Sequence, residues 1–300
     1  MTAKVILNPY SNRWNAQKRW SSAEAALRAA GVDFELVVSD GPGHIKELAR
    51  QAVAEGFSPI IAAGGDGTIG ETVNGMVQAC GNDRPLPPLG ILPLGTANDF
   101  AYALHIPLDL NSAATVIAAG KIQNADMGKV NDVYFANNSG ICIEPYVTVI
   151  QQKIGWIKGI ARYLVAAVFA ILDKPTWNAH VEWDAGSFDG PISLIYIGNG
   201  PRSGGVFFMA PHAELFDGKF TVVLAYRSTR LGMFTMMPKI MRAAEGSYVE
   251  SAGVQEFTTS WIKIHLVNPS PAHTDGELFS TAITDLEYNI FPGRLPILLP

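Results

Sequence analysis

Three short clusters carry residue types that could do chemistry. Residues 60–68, Ile-Ile-Ala-Ala-Gly-Gly-Asp-Gly-Thr, run from an apolar strand into Gly64, Gly65 and Gly67 and then into a helix. Glycines there let backbone amides approach an anion, and the helix N-terminus adds its positive dipole. No Gly-Lys-Ser/Thr follows, and the spacing is not Gly-x-Gly-x-x-Gly, so this is neither of the two common phosphate loops. The glycines alone fit a ligand-free turn equally well. Asp66 tips the balance, because a carboxylate repels phosphate unless a divalent metal stands between them. The second cluster, residues 92–101, reads Leu-Pro-Leu-Gly-Thr-Ala-Asn-Asp-Phe-Ala. Thr96 and Asn98 suit phosphate contact and helix capping alike. The third is Asp275-Gly276-Glu277, a pair of carboxylates on a turn beside His273. Such a turn is by itself an ordinary solvated loop.

These clusters need elements to position them. Strand-like runs at 5–7, 34–38, 59–63 and 89–92 alternate with helical spacings. The first helix carries Trp20, Ala23, Leu27 and Ala30 and stops at Gly31. The second carries Ile45, Leu48, Ala49, Ala52 and Val53 and stops at Gly56, and the third carries Ile69, Val73, Met76 and Val77. Strands separated by helices pair in parallel through right-handed crossovers, which predicts a Rossmann-like α/β domain. Ligands bind beyond the carboxyl ends of such strands, so two successive strand-end loops face one crevice. There Asp66 and Asp99 would share magnesium and its waters, while Thr96 and backbone amides hold phosphate oxygens.

After Gly120 the rhythm changes to strand-like runs at 133–136, 180–183, 192–197, 220–225, 261–267 and 286–291. Helical intervals at 154–172 and about 231–244 interrupt them. The pattern predicts an antiparallel β-sandwich. The expected domains are 1–125, joined by a returning segment at about 292–300, and 126–291, closely packed because no flexible tether divides them.

Composition limits the function classes. The 300 residues are 48% hydrophobic and 16% charged, with a formal net charge of −5. That supports a large core, and the acidic balance argues against nucleic acid as a partner. Two cysteines, Cys80 and Cys142, exclude a disulfide framework. The N-terminus lacks the apolar run of a signal peptide, and the apolar interval 154–172 carries Lys158 and Arg162 near its middle. A cytoplasmic protein is expected. Residues 231–241 interleave Leu231, Met233, Phe234, Met236, Met237, Ile240 and Met241 with Lys239, flanked by Arg227, Arg230 and Arg242. These suit either a helix packed on a sheet or peripheral contact with an anionic membrane.

Together, Gly64-Gly65-Asp66-Gly67-Thr68 with Glu71 and Asn74, and Pro93-Leu94-Gly95-Thr96-Ala97-Asn98-Asp99-Phe100, resemble the diacylglycerol kinase catalytic-domain family, in particular its soluble bacterial (YegS-like) lipid kinases. The similarity runs along nearly the whole chain, through Asn8-Pro9-Tyr10-Ser11, Gly198-Asn199-Gly200 with Gly204-Gly205, residues 213–218, Asp275-Gly276-Glu277 and Phe291-Pro292-Gly293. It implies ATP in the cleft between the domains, near Asn8, Pro9, Tyr10, Ser39, Gly64, Gly65, Asp66, Gly67, Thr68, Ile69, Gly70, Glu71, Thr96 and Asn98. It implies transfer to a membrane lipid hydroxyl, in phospholipid biosynthesis if the acceptor is diacylglycerol. A structural Mg2+ is implied at Glu214, Asp217 and Lys219, with the Asp217 carboxylate and two backbone oxygens. The resemblance makes Glu277 the proton acceptor, Asp275 its orienting or metal-holding partner, and Asp66 a further catalytic candidate. Other lipid alcohols (phosphatidylglycerol, a sphingoid base, ceramide), an NAD-kinase-type activity and a lapsed lipid-binding protein are the alternatives. A homodimer is kept open. Asn12 stands where the family has glycine, and Gly140-Ile141-Cys142-Ile143-Glu144-Pro145 replaces its Gly-x-Gly-x-Asp-Ala.

Overall fold

The computed structural model describes residues 2–81, 84–154 and 160–300. The first layer contains β1 (Ala3–Leu7), β2 (Phe34–Val38), β3 (Ile60–Gly64) and β4 (Leu89–Pro93), linked by α1 (Asn15–Ala29), α2 (His44–Ala54) and α3 (Asp66–Cys80). These strands pair in parallel in the order β4-β3-β1-β2. β3 and β4 are buried along their whole length. Helices cover both of their faces, which is why they read as unbroken apolar runs. On α2, Ile45, Ala49 and Ala52 form the buried stripe. Two helices to which the sequence reading gave no range follow β4: α4 (Asp99–Ala103) and α5 (Leu110–Ala119). α5 had a legible start, since Asp109 accepts the Ser112 N–H at 2.9 Å as an N-cap.

The remaining elements are β5 (Ile122–Val130), β6 (Val133–Phe135), β7 (Asn138–Cys142), α6 (Ile143–Lys153), α7 (Ile160–Asp173), β8 (Trp177–Trp183), β9 (Gly186–Ile192), β10 (Leu194–Gly198), β11 (Phe220–Ala225), α8 (Arg230–Ile240), β12 (Val254–Thr259), β13 (Trp261–Thr274) and β14 (Glu277–Leu298). They pair antiparallel around a second core that includes Val181, Ile195, Val222 and Ile264. The expected run 192–197 breaks at Ser193 into β9 and β10. Of the expected helix 154–172 the structure shows α7 from Ile160 onward, with 155–159, Lys158 among them, outside the described residues; α6, which ends at Lys153, is a further helix absent from the sequence reading. The helix expected at 231–244 ends at Ile240, just after an internal proline, Pro238.

β14 joins the two layers. Its first part pairs with β13; near its end, residues 295–298 pair with 122–125 of β5, and Ile297 lies parallel to Leu89 of β4. The C-terminal segment therefore returns to the first layer. Between these parts the register shifts after Phe291, and Asp126 Oδ1 accepts the Gly293 N–H at 2.7 Å.

Candidate active site

The two glycine loops meet beyond β3 and β4. A Cβ on Gly95 would stand 2.3 Å from Gly65 Cα, so the loops touch backbone to backbone. Asp66 opens α3, and its Oδ1 accepts the Phe100 N–H at 2.9 Å, with a further bond from the Asp99 N–H. It thereby caps α4, the role expected of Thr96 and Asn98. Burial pushes the Asp66 pKa up, against those amides. Asn98, in the left-handed region at φ 50°, instead closes its own loop: its Oδ1 accepts the Gly95 N–H at 3.0 Å and its Nδ2 donates to Gly95 O at 3.1 Å. Asn98 thus shapes the second glycine loop, with its carboxamide already spent. Thr96 is exposed and donates to Asn12 Oδ1 at 3.2 Å, so the residue replacing the family glycine reaches across to the second loop.

Asp99, expected to share magnesium with Asp66, is bonded by groups of the second layer. Its Oδ1 receives Arg202 Nε at 2.6 Å, and the Gly205 N–H lies 3.0 and 3.2 Å from its two oxygens. Asp66 is thus held on α4 and Asp99 on the second layer, each by protein donors. Burial and the nearby Asp66 push the Asp99 pKa up to about 6, against Arg202. Among the described residues, no three His, Cys, Asp or Glu side chains gather as a metal centre.

The Asp275–Glu277 turn closes on α3. A Cβ at Gly67 would lie 2.8 Å from Glu277 Cγ, and one at Gly70 would lie 3.0 Å from Asp275 Oδ2. The glycines at 67 and 70 thus admit carboxylates from a distant part of the chain. The two acids differ sharply. Asp275 is buried and accepts the N–H groups of Ala136 (2.9 Å), Asn137 (2.8 Å) and Asn138 (3.0 Å). Burial nevertheless lifts its pKa to about 6. Glu277 is exposed beside α3, and burial of its carboxyl together with Glu71 raises its pKa while His273 lowers it. Asp275 is an anchor bonded by three backbone N–H groups, whereas the Glu277 carboxylate lies against the start of α3.

His273 is buried, and its Nε2 pairs with Glu144, while its Nδ1 accepts the Gly276 N–H at 3.3 Å. Burial opposes the charged imidazole, but Glu144, with Asp275 and Glu277 beyond it, outweighs burial and raises the His273 pKa. Gly140 leaves the space in which the pair meets, since a Cβ there would lie 2.4 Å from Glu144 Oε2. Cys142, standing for the family glycine, adopts φ 74° with its side chain fully buried, a backbone region disfavoured for side-chain-bearing residues.

The first loop is held from within the layer. Asn8 Nδ2 donates to Thr68 Oγ1 at 3.1 Å, and Ser11 Oγ lies 3.2 Å from the same atom. Asn8 Oδ1 accepts the Tyr10 N–H at 3.1 Å, and Tyr10 OH donates to Asp40 O at 2.8 Å. Ser39 is buried and donates to Gly41 O at 3.0 Å. Asn8, Tyr10, Ser39 and Thr68 therefore frame one loop system, with Pro9 between its two ends. Glu71 Oε2 accepts the Lys46 N–H at 3.4 Å, and Asn74 bonds both backbone groups of Tyr134 across the layers.

Asp126 organises the turn expected to hold magnesium. Its Oδ2 accepts the Gly218 N–H at 2.6 Å, while Asp217 Oδ1 accepts the Lys219 N–H at 2.9 Å. Burial, Asp126 and Glu214 raise the Asp217 pKa. Oxygen donors crowded by like charge are the set a hard divalent cation fits, so these residues are compatible with magnesium. Asp126 and Arg202 were missed in the sequence. Neither stands in a spacing pattern, and their partners lie 92 and 103 residues away.

An apolar cavity of about 120 Å³ opens among α6, α7, α8 and the sheet, lined by Val147, Tyr163, Ile171, Phe207, Met233, Met237 and Tyr248, with Glu144 on its wall. Through Glu144 and His273 it adjoins the Glu277 turn.

Comparison with known proteins agrees with this architecture. Residues 2–130 match the diacylglycerol kinase catalytic domain, and 139–299 match the YegS C-terminal NAD kinase beta sandwich-like domain. A diacylglycerol kinase of Staphylococcus aureus (strain bovine RF122 / ET3-1) is 29% identical over 278 residues, covering 92% of this chain and 85% of the relative. That of strain MRSA252 is 31% identical over 229 residues, covering 75% and 71%. The crystal structure of a diacylglycerol kinase from Bacillus anthracis superposes with a TM-score of 0.76 at 20% identity, covering 100% of this chain and 97% of that one, which is a likeness of fold. The α/β layer followed by a sandwich is thus a shared architecture. The chain belongs to the diacylglycerol kinase family, a class of lipid-kinase transferases.

Proposed function

We propose that this protein transfers the γ-phosphoryl group of ATP to the hydroxyl of a membrane lipid, with diacylglycerol the acceptor and phosphatidic acid the product. The observation that carries the reading is the meeting of Glu277 with the first turn of α3, Asp66 to Gly70, beside an apolar cavity. Magnesium, bound at Asp217 with the Glu214 and Lys219 backbone oxygens, would neutralise charge and stiffen that turn. Asp66 would face the nucleotide's own metal. The N-terminal amides of α3, after the first glycine loop, would hold phosphate oxygens, and Glu277 accepts the acceptor's proton as its oxygen bonds to the γ-phosphorus. The bond from that phosphorus to the β,γ-bridging oxygen breaks, ADP keeps its electron pair, and Glu277 passes the proton to water.

The acceptor's chains would enter between α7 and α8. Arg230 Nε donates to Leu172 O at 2.8 Å, joining the two helices where Phe169, Leu172 and Leu231 lie exposed. The opposite faces, Ala167, Ile171, Met233 and Met237, line the cavity. This apolar rim beside Arg230 suits a peripheral seat on an anionic membrane.

Labelled ATP over a panel of lipids in mixed micelles tests the reading. Label should enter diacylglycerol, and Glu277→Gln should lower turnover by about 10²–10⁴. Label entering only NAD or another soluble acceptor, or a mild Glu277→Gln, overturns it.

A further inference from the structure

We propose that Arg202 is the cation that meets the transferred phosphoryl group, resting on Asp99 until that group arrives. The inference builds on the kinase reading above. Arg202 belongs to the loop after β10, in the second layer, yet its guanidinium lies in the first layer's crevice. Its Nε reaches Asp99 Oδ1 at 2.6 Å, its Nη2 reaches Ala97 O at 3.2 Å, and its Cζ sits 3.7 Å from the centre of the Tyr102 ring. Ala97 separates Thr96 from Asn98, so the cation is already within the second glycine loop.

The backbone of Arg202 is fixed independently. Asn137 and Asn138 donate their carboxamide N–H groups to Arg202 O at 3.0 and 3.4 Å, and Asn138 O accepts the Asp275 N–H at 2.9 Å. One segment therefore anchors both the turn bearing Glu277 and the arginine. Gly200 makes room for it, since a Cβ there would stand 2.0 Å from Asn137 Oδ1.

Charge supplies the reason for the role. Asp66, Glu71, Asp99, Asp275 and Glu277 crowd the crevice, and Arg202 is the cation whose field lowers the pKa of both Asp66 and Asp99. Phosphoryl transfer spreads negative charge over three oxygens, which so many carboxylates would repel. A planar guanidinium offers paired N–H donors to such oxygens. Asp99 is a partner that can be left, because the Gly205 N–H still holds its carboxylate. The Tyr102 ring would support the guanidinium through the exchange. Arg202 changes only hydrogen bonds; the covalent changes are those given above.

The test compares Arg202→Gln, Arg202→Lys and Asp99→Asn for binding of ADP and of a non-hydrolysable ATP analogue by calorimetry, with thermal midpoints and turnover alongside. Arg202→Gln should weaken the ATP analogue about tenfold or more, leave ADP near wild type, and cut kcat by about 10³. Arg202→Lys should restore part of both. Asp99→Asn should share the loss of thermal midpoint without the selective loss of the ATP analogue. Equal weakening of ADP and the ATP analogue, or Arg202→Gln and Asp99→Asn alike in every measurement, would reduce Arg202 to a clamp between layers and overturn the proposal. The binding arm needs no lipid. If no lipid takes up label while the selective ATP loss is present, the acceptor assignment falls and the role of Arg202 stands.

Discussion

Asp275 and Glu277 are two residues apart, carry the same functional group and sit in different physical worlds. Three backbone N–H groups consume the Asp275 oxygens, so its carboxylate shapes the β6–β7 junction. Glu277 is left to titrate, and its neighbours set where. Burial and Glu71 raise its pKa, and His273 lowers it. A base works only when ionised, so whatever raises that pKa moves the acid limb of the kcat profile to higher pH. Glu71→Gln should shift the limb to lower pH, and His273→Gln should shift it to higher pH, both read from kcat between pH 4.5 and 8. Limbs that stay together would detach Glu277 from the profile. The preference for Glu277 over Asp275 was available from family motifs alone. The fate of Asp99 was not, because its partner Arg202 is fixed by Asn137 and Asn138, and no local spacing records that.

At the scale of elements, α3 is pressed from two sides at glycines, with opposite consequences. Gly67 faces the end of the flexible Glu277 side chain, whereas a Cβ on Gly75 would stand 2.2 Å from Lys46 O, on the backbone of α2. Gly67→Ala should therefore leave the thermal midpoint near wild type and lower turnover by about 10²–10⁴, because the base swings away. Gly75→Ala should destabilise by about 1–3 kcal/mol through overpacking of α2 on α3. Reversed outcomes would contradict the packing. Of the four basic residues flanking and within α8, Arg227 turns back onto Ala252 O and Lys239 Nζ donates to Ser251 Oγ at 3.0 Å. Membrane attachment should accordingly follow the apolar rim. Phe169→Ser with Leu231→Ser should weaken binding to anionic liposomes about tenfold, while turnover on a short-chain, water-soluble diacylglycerol persists. Unchanged sedimentation with liposomes would remove that rim from the mechanism. Helical spacing marked α8 correctly, but spacing does not say which cations fold inward.

For the whole molecule, the alternation of strand and helix and the later strand runs were enough to read both layers. The length of β14 was not legible, because Pro292-Gly293 looks like a terminator. In the structure it is a register shift held by Asp126. One strand shared by two cores should make them unfold together. Trp20 packs against Phe34 in the first layer, and Trp183 stacks on Phe257 in the second. Single-tryptophan versions retaining one or the other should give coincident urea transitions, and separated midpoints would mean that the layers are independent. β14 also orders events during synthesis. Both glycine loops are made well before β14, which gives β4 its outer partner and Gly67 its facing carboxylate. A nascent chain can hold both glycine loops, yet Glu277 and the outer contact of β4 come from the same strand, so under the proposed mechanism turnover waits until β14 has docked.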